Sequence, residues 1–224
     1  MEKVLAHPDS TAPEGAEYWL LRHGKAPHNQ PDEVATFGGG QVDNELTEGG
    51  IKEVETLAAE IAAEGGVDLL ICSRMKRSRQ TAEIIARIVR AKTGREAPVV
   101  SISDLEEVDV GDFTGHTEGE SRAMDAQAAN AFYEGRIRDL NFPGGEDYAK
   151  LQQRVKSVKR QVKEMTLGHK RVAIVGHGIF NRVIMHNLYP DLEDVWRPTA
   201  YPHDKVYVID LPNDIMAELL TRGS

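Results

Sequence analysis

Residues 18–24 read Tyr18-Trp19-Leu20-Leu21-Arg22-His23-Gly24, a short apolar run that closes on an arginine and a histidine side by side. A run of this length and composition reads as an interior strand, and Gly24 and Pro27 mark the chain leaving the sheet for a loop. Ligands of open α/β sheets bind in the crevice at the carboxyl ends of the strands, so two cation-capable side chains at this point suggest an anion-handling site. Leu21-Arg22-His23-Gly24 alone fits a second reading equally well: a partly exposed sheet end, with Arg22 solvated and His23 bonded to a carbonyl.

Working outward, Thr47 can cap a helix whose Ile51, Val54, Leu57 and Ile61 share one face, and Gly65-Gly66 stops it. Val67 to Cys72 reads as a second buried strand. A helix is expected from about Met75 to Lys92, capped near Ser73 and ended by Gly94, and a third strand over Pro98 to Ser103. The segment from Leu105 to Gly115 is acidic, glycine-bearing and loop-like. Residues 116–141 have weak periodicity and are expected to form an excursion or lid, with a helix around Ser121 to Tyr133.

After Pro143-Gly144-Gly145, the residues Tyr148, Leu151, Val155, Val158, Val162 and Met165 recur at helical spacing, and Gly168 ends that helix. Arg171 to Val175 is a strand that runs into Gly176-His177-Gly178, with a helix following through Leu188. Lys205 to Leu211 and Ile215 to Leu220 read as final strands around a Pro212-Asn213-Asp214 turn. Strands alternating with helices imply a three-layer α/β fold, with a mostly parallel central sheet flanked by helices. Residues 1–17 show no pattern and are set apart as an N-terminal extension, leaving residues 18–224 as one domain.

The chain has 224 residues, 40% of them apolar and 28% charged, the balance of a soluble globular protein with a substantial core. No apolar stretch is long enough to span a bilayer and no secretory h-region follows Met1-Glu2-Lys3, so a cytoplasmic location is expected. Cys72 is the lone cysteine, which excludes an intrachain disulfide and any cysteine-rich metal site. A net charge of −9 disfavours nucleic acid and anionic membranes as partners. An anion pocket must then be assembled from specific residues.

The second strand end supplies some of them. His177 at the end of its strand can meet His23, and the glycines around it let backbone N–H groups approach an anion at the start of the following helix. Arg74, Lys76, Arg77 and Arg79 cluster at another helix start, where the planar fork of arginine suits phosphate. Taken alone, Glu106, Glu107, Asp109 and Asp112 read as a solvated acidic loop, and His28 has no assigned role.

Taken in order, these pieces resemble the histidine phosphatase superfamily, the phosphoglycerate mutase-like enzymes, in its phosphatase branch. The resemblance rests on Leu21-Arg22-His23-Gly24 with Asn29, Asp43 to Gly50, Ser73 to Ala82, Leu105-Glu106-Glu107 with Gly111 and Gly115, Pro143 to Glu146, and Val175 to Gly178. It implies that His23 is the nucleophile, a neutral imidazole that becomes phosphohistidine. It implies that Arg22, Arg77 and His177 bind phosphate, with Asn29 and Gly178 contributing donors, and that a charged His177 stabilises the equatorial oxygens.

Within the arginine cluster the family pattern selects Arg77, four positions after Ser73 and four before Thr81, leaving Arg74 and Arg79 to solvent or the substrate rim. Glu107 aligns with the proton donor to the leaving oxygen, with Glu106 as its alternative. Lys25 and Asp147 depart from the family pattern, and the departures bear on substrate rather than on catalysis.

The implied activity is metal-independent phosphomonoester hydrolysis of a small phosphorylated substrate, without a cofactor. The sequences that phosphoglycerate mutases carry after the proton donor are not recognisable in residues 116–141, so mutase-type phosphoryl transfer is the runner-up. A noncatalytic phosphoprotein-binding module is the alternative outside enzymes. Cysteine-dependent phosphatase chemistry places an arginine six positions after the nucleophile, where this chain has Ser78. The eight histidines are scattered and no His-Glu-x-x-His helix occurs, so no metal site is expected. Arg122, Tyr133, Arg136 and Arg138 are candidate substrate contacts from the excursion.

Overall fold

A computed structural model describes residues 3–5, 16–29, 36–40, 42–190, 202–209 and 211. Six strands form one sheet: β1 (Lys3–Leu5), β2 (Glu17–Arg22), β3 (Leu69–Cys72), β4 (Val99–Ser101), β5 (Arg171–Gly176) and β6 (Val206–Ile209). Their order is β1-β6-β2-β5-β3-β4, and every neighbouring pair is parallel except β2 with β6. The three-layer, mostly parallel α/β fold expected from the sequence is the observed one.

Both faces of the central strands are buried, which is why they read as continuous apolar runs. The pleat sends Tyr18, Leu20, Leu69, Ile71, Val172 and Ile174 into one core. Their neighbours Trp19, Leu21, Leu70, Cys72, Ala173 and Val175 enter the other. Two helices cover this second face, α1 (Glu48–Ala63) and α2 (Lys76–Thr93). The first face is covered by α4 (Ala126–Tyr133), α5 (Tyr148–Met165) and α6 (Gly178–Leu188), and α3 (Glu118–Met124) packs against α4.

Several sequence-based boundaries hold for the expected reasons. Thr47 accepts the Gly50 amide at 3.0 Å to cap α1, and Gly94 ends α2 in the left-handed conformation. Others shift. The N-cap of α2 is Met75 rather than Ser73, whose hydroxyl instead accepts the Met75 amide at 3.2 Å. The third strand stops at Ser101, because Ser103–Leu105 turns into a 3-10 helix.

The single helix expected near Ser121–Tyr133 is two, since Asp125 adopts an extended backbone and caps α4 by accepting the Ala128 amide at 3.0 Å. The strand expected over residues 215–220 lies outside the described residues. From the N-terminal extension, Lys3–Leu5 joins the sheet as a strand parallel to β6. No helix among the described residues is long and apolar enough to cross a membrane.

Candidate active site

β2 and β5 run in register so that Arg22 pairs with Gly176, which brings the two strand ends level. The residues that follow each end therefore meet: the rings of His23 and His177 lie 5.0 Å apart, centre to centre. Both are almost fully buried, at 1% and 0% exposure. The next strand, β3, sets Cys72 beside Val175, and the following residue, Ser73, lies within hydrogen-bond reach of the second histidine: its Oγ is 2.7 Å from His177 Nε2.

Two hydrogen bonds fix the chemistry of His23. Its Nδ1 lies 2.7 Å from the Gly24 carbonyl, which can only accept, so Nδ1 carries the proton. Nε2 is then a lone pair, and Arg77 Nε donates to it at 3.1 Å. Arg77, itself 1% exposed, also donates to the Val42 carbonyl. The loop that presents His23 is clamped from the α1 and α2 side. The Gly24 amide donates to Thr81 Oγ1 at 3.0 Å, and a side chain at Gly24 would collide with Val54 on α1.

Glu107 arrives from the acidic segment and lays its carboxylate on the start of α6. Oε2 accepts the Ile179 amide at 3.1 Å, and Oε1 accepts the amides of Phe180 and Val108, both at 2.9 Å. Its segment is not solvated as the isolated reading would have it, because Leu105, Val108, Val110 and Phe113 are all fully buried. Glu106 offers only its backbone to this network and does not line the cavity, whereas Glu107 does.

Arg22, Asn29, Arg77, Glu107 and Gly178 share the wall of one cavity of about 220 Å³. A side chain at Gly178 would sit 3.1 Å from Arg22 Cζ, so glycine lets that guanidinium lie against the helix start. Asn29 Oδ1 accepts the Ala26 amide at 3.3 Å, which holds its turn and leaves the NH2 group as the donor end.

Positive charge dominates the cavity, with Glu107 as the acid in its described lining. The histidines respond: burial and the neighbouring arginines hold both His23 and His177 well below the ordinary imidazole value. The same burial and charges disfavour the charge expected on His177, which an anion offsetting Arg77 and Arg22 would favour. Arg22 is itself lowered to about 10, first by burial and then by Arg182 and Arg77, with Glu107 opposing.

The sequence reading missed several neighbours. His28 lines the cavity 6.1 Å from the His23 ring, and burial with Arg77 and Arg22 lowers it to about 4. His203, just before β6, places its ring 5.5 Å from that of His23, directs Nδ1 to the His23 carbonyl and is lowered to about 3 by burial and Arg22. Arg182 lines the cavity from α6, one helical turn after Gly178. That spacing was the available signal; His203 carried none.

Of the four excursion candidates only Tyr133 lines the cavity, beside Phe132 and Phe37. Arg122 is paired with Glu118 and sits over the Tyr133 ring, and Arg136 is paired with Glu134 and Asp139. Together with Arg138, Arg136 borders a separate surface cleft. The departures at Lys25 and Asp147 are also explained away from substrate: Lys25 Nζ bonds Glu53 at 2.6 Å, and Asp147 caps α5. Arg79 pairs with Glu83 and Arg74 is exposed, as expected. Cys72 points into the core beneath α1 and α2, and burial raises its thiol, which disfavours the thiolate. No cluster of potential metal ligands occurs among the described residues.

The sequence model of the histidine phosphatase superfamily (branch 1) matches residues 18–215. A metal-independent phosphoserine phosphatase of Arabidopsis thaliana is 27% identical over 208 residues, covering 90% of this chain and 83% of its own. Phosphoglycerate mutase-like protein 4 of the same plant is 29% identical over 188 residues, 84% of this chain and 77% of its own. The solved structure of Bacillus stearothermophilus YhfR superposes with a TM-score of 0.71 at 28% identity, covering 87% of this chain and 91% of that one. With a match from the first central strand to beyond the last, the chain belongs to branch 1 of the histidine phosphatase superfamily and is a phosphatase.

Proposed function

We propose that the chain hydrolyses small phosphomonoesters through a phosphohistidine on His23, without a metal. The observation that carries this reading is the pair of hydrogen bonds on the His23 ring, which reserves Nδ1 for the Gly24 carbonyl and leaves Nε2 as a lone pair beside a buried guanidinium. Nε2 attacks phosphorus as the bond to the leaving oxygen breaks, and Glu107 gives that oxygen a proton. Water then attacks the phosphohistidine, the N–P bond breaks, Glu107 takes the proton of the water, and phosphate departs.

Arg22, Arg77, His177, Asn29 and the backbone at Gly178 hold the transferring group. Arg77 donates to Nε2 before reaction, so the same arginine can follow the phosphoryl group onto that nitrogen. Charge stabilisation in a buried, preorganised site accelerates such a reaction more than any other single effect, and two guanidiniums supply it here.

The test is phosphate release from a panel of phosphomonoesters, phosphoserine and sugar phosphates among them, with a chelator present. Turnover unaffected by the chelator and by Cys72→Ser is expected. Loss of turnover on chelation contradicts the reading, transfer of the phosphoryl group to an added hydroxy acid favours mutase chemistry, and binding without release favours a noncatalytic module. A cytoplasmic setting belongs to the same reading and is checked by cell fractionation.

A further inference from the structure

Arg154 lies on α5 and does not line the cavity, yet its guanidinium holds the segment that carries Glu107 on both sides. Nε and Nη2 donate to the Asp104 carbonyl at 3.3 and 3.2 Å, Nη2 also donates to the Glu106 carbonyl, and Nη1 donates to Glu146 Oε2. The same Glu146 oxygen accepts the Asp109 amide at 2.9 Å, and the Glu146 amide donates to the Asp109 carbonyl at 2.8 Å. Residues before and after Glu107 are thus tied to one guanidinium, directly or through a single carboxylate.

A further contact reaches a residue that bonds the carboxylate. Arg154 Cζ lies 4.2 Å from the centre of the Phe180 ring, and the amide of Phe180 is a donor to Glu107 Oε1. The loops on either side leave little room for adjustment, because a side chain at Gly111 or at Gly145 would collide with the facing backbone. The Arg154 and Glu146 side chains are 19% and 13% exposed, so their ion pair is poorly screened by solvent.

We infer that Arg154 is a positioning residue for Glu107, setting the height of the proton donor over the leaving oxygen; the inference rests on the acid role of Glu107 proposed above. A planar fork is required, since one ammonium cannot reach the Asp104 and Glu106 carbonyls and Glu146 together. A misplacement of about 1 Å from a residue outside the chemistry can cost about 100-fold in rate. The cost falls only where the leaving oxygen needs a proton.

The test compares kcat/KM for phenyl phosphate, whose phenolate leaves poorly, with 2,4-dinitrophenyl phosphate, whose phenolate leaves unaided. Because kcat/KM reports the transfer to His23, the ratio of the two is independent of how much of a variant is folded. Arg154→Met and Arg154→Lys are both expected to lower phenyl phosphate turnover by about 100-fold and dinitrophenyl phosphate turnover by less than about threefold. Equal losses on both substrates, or no loss on either, overturn the inference. Glu107→Gln serves as the reference: if it too loses both substrates equally, the acid role falls and this inference with it, whereas selectivity in Glu107→Gln without selectivity in the Arg154 variants overturns the inference alone.

Discussion

The two ends of the cavity are built differently. At the end proposed to take phosphate, Arg22 from the end of β2 and Arg77 from the first turn of α2 line the wall, while His23, bonded to Arg77, and His177 beside it are buried at adjacent strand ends and do not belong to the described lining. At the other end, Phe37 comes from an irregular segment and Phe132 and Tyr133 from a short helix, meeting through ring contacts of 4.9 to 5.7 Å. Charge and rigid backbone define the first end, and apolar surface the second. On the proposed reading, the difference teaches that the scaffold separates a fixed reaction from an adjustable choice of leaving group.

Substitutions should respect that division. His23→Ala removes the attacking nitrogen and is expected to lower kcat by about 10⁴-fold or more on every substrate, measured as phosphate release. Arg77→Met leaves Nε2 without its donor and the transferring group without a guanidinium, and a loss of about 10²- to 10³-fold in kcat/KM, independent of leaving group, is expected. At the other end, Tyr133→Ala and Phe132→Ala should change relative kcat/KM across a substrate panel by about tenfold or less, while retaining turnover. Arg136→Ala, outside the cavity, should change neither. A Tyr133→Ala variant that lost all substrates equally would erase the distinction between the two ends.

Acid sharpens the same comparison, because the phosphate end holds histidines that resist protonation. His28, lowered to about 4, and His203, lowered to about 3, both start from about 6.5 in the unfolded chain, and His23 and His177 are lowered as well. Below pH 6.5 the unfolded state binds protons that the folded state refuses, so stability present above that pH is lost progressively down to the folded values. Denaturant midpoints measured between pH 7 and 4 should therefore fall with pH. Inorganic phosphate should reduce the fall, since a bound anion favours charged imidazole.

The strand ends were legible in the sequence because local patterns create them. Apolar runs closed by Arg22-His23-Gly24 and Gly176-His177-Gly178 announce both their burial and their termini, and the caps at Thr47 and Gly94 announce the helices between. His203, Ser73 and Arg154 were not legible. Each acts through a partner far along the chain, on His23, His177 and the Glu107 segment respectively, and no local pattern records such a meeting. The acidic segment was misread in isolation for a related reason: its alternating Val108 and Val110 are core residues, and the core they enter is supplied by α5, α6 and the excursion. The charged excursion residues misled in the opposite direction, because Arg122 and Arg136 find their partners within a few positions and stay on the surface.

The most direct test of the account is to trap the intermediate. The protein is mixed with a phosphomonoester labelled in its phosphate, quenched in alkali within a turnover, and digested to locate the label. The account predicts acid-labile, alkali-stable phosphate on the peptide containing His23, and none in His23→Ala. Full turnover by His23→Ala, or label on any other residue, would contradict it.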